Sequence, residues 1–161
     1  MNKYSIREIQ LNDNQELAKL IRTVLIEFGV PEVGTAYEDV VLDKMYETYD
    51  NKECCYFVVT NGQEIVGGAG IMQLQNSDEN ICELQKMYFL PVARGKNLGA
   101  EMMEICLHKA REIGYDKCYL ETLPYMESAR KLYDKVGFKS LNAPLGDTGH
   151  YSCNMWMIKT L

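Results

Sequence analysis

Residues 83–121 restrict this chain more than any other stretch. Glu83-Leu84-Gln85-Lys86-Met87-Tyr88-Phe89 has the apolar-rich pattern of a strand, and Leu90-Pro91 breaks it. Arg94-Gly95-Lys96-Asn97-Leu98-Gly99-Ala100 then turns as a basic, glycine-containing loop into a helix. The helix shows in the spacing of Leu98, Met102, Ile105, Cys106 and Ile113, with Gly114 as its natural C-cap and Lys117-Cys118-Tyr119-Leu120-Glu121 as a short strand beyond it. Strand, crossover helix and strand close as a parallel, right-handed βαβ unit.

The turn at the head of this helix is the first functional candidate. Backbone N–H groups from Gly95 to Gly99 precede any intrahelical partner and sit at the positive end of the helix macrodipole, a place that favours a phosphate or pyrophosphate. Gly95 and Gly99 carry no Cβ, so a ligand can approach the backbone closely, and Arg94 and Lys96 add positive charge at the rim. Most glycine-containing turns between strand and helix bind nothing, so the loop gains weight only from what converges on it. Neither Gly-x-x-x-x-Gly-Lys-Ser/Thr nor Gly-x-Gly-x-x-Gly is present, which disfavours other nucleotide-binding loops.

The remaining elements supply the layers around this unit. Tyr4 to Ile9 alternates as a first strand, Asn12 to Asn14 offer N-caps, and Leu17, Leu20, Ile21, Val24, Leu25 and Phe28 form one amphipathic stripe ended by Gly29. Residues 30–36 read as a loop, and Tyr37, Val41, Met45 and Tyr49 predict a second amphipathic helix. Cys54 to Thr60 and Glu64 to Leu74 read as a hairpin through Asn61-Gly62, with Gly67, Gly68 and Gly70 marking a face where backbone or ligand packs closely. A helix over 126–136 places Ala129, Leu132, Tyr133 and Val136 on one face, and a last hairpin runs through 138–141 and 151–159. At 161 residues the chain is expected to be one domain, 1–161, burying roughly 70% of its unfolded surface.

Composition excludes several classes. A net charge of −6 argues against a nucleic-acid surface and suits a cationic substrate. Neither a run of 18 apolar residues nor a basic-then-apolar leader is present, so no membrane association is expected and the cytoplasm is the default location. The six cysteines have no Cys-x-x-Cys spacing and read as reduced core residues; His150-x-x-Cys153 lacks a partner pair, so no metal is expected.

Arg94-Gly95-Lys96-Asn97-Leu98-Gly99, together with Ala129-Arg130-Lys131-Leu132-Tyr133 and the Gly137-Phe138 that follows, resembles the GCN5-related N-acetyltransferases. The first block is similar to that family's Gln/Arg-x-x-Gly-x-Gly/Ala signature, with one departure: Asn97 stands where the first glycine belongs. Asn is the non-glycine residue that best tolerates a left-handed backbone, so the turn is expected to survive. The resemblance covers essentially the whole chain. It implies an α/β fold with a mixed, mostly antiparallel sheet of about seven strands, a splayed central parallel pair and about four helices on both faces.

The resemblance also implies the chemistry: an acetyl group moved from acetyl-CoA directly to a primary amine of a small molecule or peptide. Met87, Tyr88 and Phe89 are expected to pair through their backbone with the pantetheine arm, with a strand distortion near Phe89 making room. Residues 94–100, namely Arg94, Gly95, Lys96, Asn97, Leu98, Gly99 and Ala100, would hold the pyrophosphate, and Ser128 would replace a contact that many relatives make from the position of Met126. Tyr133 corresponds to the general acid for the departing thiolate, and Glu83 to a general-base glutamate. Alternation places Glu83 on one face with Gln85 and Met87. Glu32 and His150 are expected on the acceptor side, in the two segments where the family varies with substrate. A ping-pong thiol at Cys82 or Cys118 lacks an activating base. The alternative from another class is an acyl-CoA-binding sensor without turnover. Homodimers are common for such folds.

Overall fold

The computed structural model describes residues 3–122, 127–149 and 153–161. Tyr4–Glu8 (β1), Cys55–Asn61 (β2), Glu64–Gln73 (β3) and Ile81–Phe89 (β4) form an antiparallel run. Lys117–Thr122 (β5) joins β4 in parallel, and Met155–Thr160 (β7) and Lys139–Leu141 (β6) complete a seven-stranded sheet of order β1-β2-β3-β4-β5-β7-β6. The helices are Asn14–Glu27 (α1), Met45–Tyr49 (α2), Leu98–Ile113 (α3) and Glu127–Val136 (α4).

Each face of the sheet has its own core. The α1 stripe of Leu17, Leu20, Ile21, Val24 and Leu25 packs with Leu42, Met45, Tyr49, Tyr56 and Val58 on one face. Met102, Met103, Cys106 and Ala110 of α3 pack with Val59, Val66, Leu84 and Leu120 on the other. Gly114 ends α3 with a left-handed backbone, φ +108°, and its N–H bonds Ala110 O at 3.1 Å.

Three expectations need correction, the third being the shared face of Glu83 and Met87. Residues 37–49 are not one amphipathic helix: they form short 3₁₀ turns at Ala36–Glu38 and Val40–Lys44, and only the five residues of α2 are α-helical. Leu42 rather than Val41 is buried there, and β-branched Val40 is exposed. The strand distortion also falls earlier than Phe89. Gly70 pairs with Gln85 and Gly68 with Tyr88, so two residues of β4, Lys86 and Met87, oppose the single Ala69. Lys86 takes the left-handed backbone, φ +51°.

This bulge resets the alternation of β4. Glu83, Gln85 and Tyr88 pair with Met72, Gly70 and Gly68 and share the α1 face, while Met87 and Phe89 pack into the α3 core. Glu83 and Met87 therefore lie on opposite faces, contrary to simple alternation. The parallel ladder to β5 ends at Glu83, opposite Tyr119, and beyond it the two strands part.

Glycines in β3 make the arrangement sterically feasible. A Cβ on Gly68 would stand 2.7 Å from Tyr56 Cε1, and one on Gly70 would stand 2.5 Å from Cys55 O. Their absence lets the Tyr56 ring lie across β3, where its hydroxyl donates to Lys86 O at 2.7 Å and holds the bulge.

Candidate active site

Leu90 N–H donates to Val66 O at 2.8 Å, and Pro91 then opens a 3₁₀ turn, Pro91–Ala93, that reverses the chain toward α3. Gly95 and Asn97 both take positive φ, +70° and +63°, so the two residues that enter the left-handed region are the two types that do so most readily. The first helical bond runs from Glu101 N–H to Asn97 O at 3.2 Å, which places the N–H groups of Leu98, Gly99 and Ala100 in the unpaired first turn. They head a groove of about 570 Å³ bounded by Met87, Tyr88 and Phe89 of β4 and by Ser128, Ala129, Leu132 and Lys135 of α4. A Cβ on Gly99 would lie 3.2 Å from Leu132 Cδ2, so a side chain there would crowd α4.

A second, smaller cavity of about 60 Å³ opens on the α1 face where β4 and β5 part. Both cavities have Met87 and Tyr88 on their walls. Glu83, Gln85 and Lys86 line the small one from β4, Glu121 and Thr122 from β5, Thr35 and Val30 from the segment after α1, and Tyr133 from α4. Glu83 is only 4% exposed, and its Oε1 accepts from Gln85 Nε2 at 2.5 Å. Glu121 accepts from the Tyr119 hydroxyl at 2.6 Å through one oxygen and from the Thr148 hydroxyl through the other. Lys86 Nζ is buried against Asp39 at 3.2 Å.

Tyr133 sits edge-on to Phe138, with ring centroids 6.0 Å apart. Burial, with a smaller contribution from Cys118, pushes its phenol well above the usual range, so it stays protonated. A protonated phenol on the wall of the small cavity can give up a proton to a thiolate formed beside it.

The sequence profile of the acetyltransferase (GNAT) family matches residues 19–138. The chain belongs to that family. It is 41% identical over 157 residues, 97% of this chain and 94% of the other, to the uncharacterized N-acetyltransferase YjgM of Escherichia coli K12. The N-acetyltransferase class is therefore its enzyme class. An acetyltransferase of the GNAT family from Staphylococcus aureus Mu50 superposes with a TM-score of 0.87 at 22% identity, covering 98% of this chain and 99% of that one. The PaiA N-acetyltransferase of Thermoplasma acidophilum, in complex with coenzyme A, superposes over 100% of both chains with a TM-score of 0.74 at 17% identity.

In this GNAT chain the motif residues fall largely together. Arg94, Gly95, Asn97, Leu98, Gly99, Ala100 and Ser128 line the large groove, and Glu83 and Tyr133 line the small cavity. Arg94 has a more structural setting than its sequence position suggests: its guanidinium donates to Glu27 at 2.6 and 2.9 Å and to Phe89 O at 3.0 and 2.8 Å, and lies 5.1 Å from the Phe28 ring centroid. The Glu27 carboxyl is held below its usual range by that hydrogen bond. Lys96 turns to the Tyr4 ring, 5.9 Å from its centroid, and does not line the groove. Glu32 is exposed and lines neither cavity; after the positive-φ turn at Gly34 it is Thr35 that is buried beside Glu83. His150 and Met126 lie outside the described residues.

Sequence reasoning missed Gln85, Lys86, Tyr49, Glu121 and Lys135. Lys86 and Gln85 had a signal, since both interrupt an apolar strand bound for the middle of a sheet. Glu121 and Tyr49 had none, because their roles depend on partners 27 and 36 residues away. Among the described residues, no cluster of His, Cys, Asp or Glu is placed to hold a metal ion, and no helix is long and apolar enough to cross a membrane.

Proposed function

We propose that this chain moves an acetyl group from acetyl-CoA directly onto a primary amine of a small molecule or peptide. The observation that carries this reading is the meeting of the two cavities at Met87 and Tyr88, at the point where β4 parts from β5. One cavity has helix N–H groups at its head, suited to a pyrophosphate, and the other has two carboxylates, suited to an ammonium. The coenzyme A held by the structurally similar PaiA N-acetyltransferase supports the same reading.

In this mechanism the first turn of α3, with Gly95 and Asn97 shaping the loop, holds the pyrophosphate, and Ser128 borders the same groove. The backbone of Met87 to Phe89, past the end of the β5 ladder, pairs with the pantetheine arm and supports the carbonyl oxygen as charge develops. Glu83 takes a proton from the acceptor ammonium, directly or through water, and Tyr133 protonates the departing thiolate. Glu121, its two oxygens fixed by hydroxyl donors, orients the amine.

Calorimetric titration with acetyl-CoA and CoA, followed by thiol release across a panel of amines, tests the proposal. Binding with release for one amine class is the expected outcome. Absence of CoA binding overturns it, and binding without release for any amine points to the sensor reading.

A further inference from the structure

Glu83 does not stand alone on the α1 face. Gln85 Nε2 donates to Glu83 Oε1 at 2.5 Å, and Gln85 Oε1 in turn accepts from the Tyr49 hydroxyl in a short contact. Tyr49 belongs to α2, is 4% exposed and packs its ring on Tyr56, centroids 5.2 Å apart at 53°. Tyr56 holds the Lys86 carbonyl through its own hydroxyl. One pair of tilted, packed tyrosines thus fixes the bulge twice: Tyr56 by the backbone of Lys86, Tyr49 by the side chain of Gln85.

We infer that Tyr49 and Gln85 are positioning residues for Glu83, a relay of hydrogen bonds from α2 that fixes the orientation of its carboxylate in the small cavity. This inference rests on the reading of Glu83 as general base. Its chemistry follows from the donor and acceptor inventory. A primary amide has a donor end and an acceptor end, and a hydroxyl that donates to the acceptor end dictates that the NH₂ end faces Glu83. The Tyr49 phenol can serve as that donor at any working pH, because burial keeps it protonated, with smaller contributions from Tyr56 and Glu83. An amide N–H on a carboxylate favours the ionised form, the form a base needs.

Other groups face Glu83 and enter its titration. Tyr88 from β4, Tyr119 from β5 and Cys153 before β7 each couple electrostatically to it. Lys86, with Asp39 beyond it, and Glu121 share its cavity wall or border it. None of these donates through Gln85, so the relay has a signature of its own.

The test is the pH profile of kcat/KM for the amine, measured on the full chain with acetyl-CoA saturating. Gln85→Ala is expected to move the acid limb up by roughly one pH unit, since a hydrogen bond to a charged group has been lost and the Glu83 pKa rises. Tyr49→Phe is expected to move it in the same direction, and Tyr49→Phe combined with Gln85→Ala is expected to match Gln85→Ala alone, because both act through one relay. Acetyl-CoA affinity and thermal midpoint identify any variant that has simply lost its fold, and Tyr49→Leu with its ring removed separates packing from the hydroxyl. An unshifted limb in a folded Tyr49→Phe, or additive shifts in the double variant, overturns the relay. Full activity with an unchanged acid limb in Glu83→Gln overturns the base reading instead, so the two failures are distinct.

Discussion

The two faces of β4 border two kinds of cavity. On the α3 face the head of the groove is one local stretch, Arg94, Gly95 and Asn97 to Ala100, whose shape follows from backbone angles at Gly95 and Asn97 and from the start of a helix, while α1, β4 and α4 supply the other walls. On the α1 face the small cavity draws on Val30 and Thr35, residues 83–88, Glu121 and Thr122, Tyr133 and Cys153, with Asp39, Tyr49 and Thr148 behind them. The first presents backbone N–H groups, which any sequence with the right turn can offer. The second presents side chains held by other side chains. A site made of backbone keeps its ligand chemistry through many substitutions; a site made of a polar network changes with each one.

Variants sharpen this contrast, beginning with the strongest. Tyr133→Phe should lower kcat about 100-fold, the reach of a general acid, while acetyl-CoA affinity measured by calorimetry stays the same. Substantial activity in that variant would break the division of labour between the faces. Gly70→Ala should cost about 2 kcal/mol in denaturant unfolding, because the new Cβ would stand 2.5 Å from Cys55 O and from Tyr56 Cδ2. Its amine KM should rise more than its acetyl-CoA KM, since Tyr56 supports the bulge on the α1 face only. Glu121→Gln should raise the amine KM about tenfold with kcat and acetyl-CoA KM unchanged, read by steady-state kinetics.

Acid separates the faces as well. The α1 side is pinned by Arg7–Asp13 at 2.8 Å and Arg22–Asp43 at 2.8 Å. Burial alone would raise the Asp13 carboxyl, but the Arg7 guanidinium and the Gln10 N–H outweigh it and hold the group below its usual 3.8. A depressed carboxyl contributes stability that is fully present above 3.8 and is lost as pH falls through the lower folded value. Asp13→Asn should therefore cost about 1 kcal/mol at neutral pH and progressively less as pH falls below 3.8, and hydrogen exchange in acid should open α1 before α3. An effect of the same size belongs to the loop: Asn97→Ala should cost about 1 kcal/mol at φ +63°, while Asn97→Gly leaves stability and acetyl-CoA affinity nearly unchanged.

Most of the architecture was legible where the signal is local. The α3 boundaries, the Gly114 cap, the α1 stripe and the tolerance of Asn97 for a left-handed turn all follow from residues within a few positions of one another. The segment 37–49 misled because Tyr37, Val41, Met45 and Tyr49 keep helical spacing, yet burial there centres on Leu42, Met45 and Tyr49 and the chain tightens into 3₁₀ turns. The bulge was displaced to Phe89 because nothing in β4 alone says where its partner strand runs short. Its position at Lys86 depends on the glycines of β3 and on Tyr56 lying across them.

The sequence by itself determined the βαβ unit, the anion-favouring turn and the helix that carries Tyr133, because each is specified by spacing within one segment. Only the tertiary structure decided which face Met87 takes, that Arg94 is bound to Glu27 and Phe89, and that Glu83, Gln85 and Tyr49 form one chain. The physical reason is register: one extra residue in a strand moves every later side chain to the opposite face, and only pairing with a distant strand fixes where that residue falls.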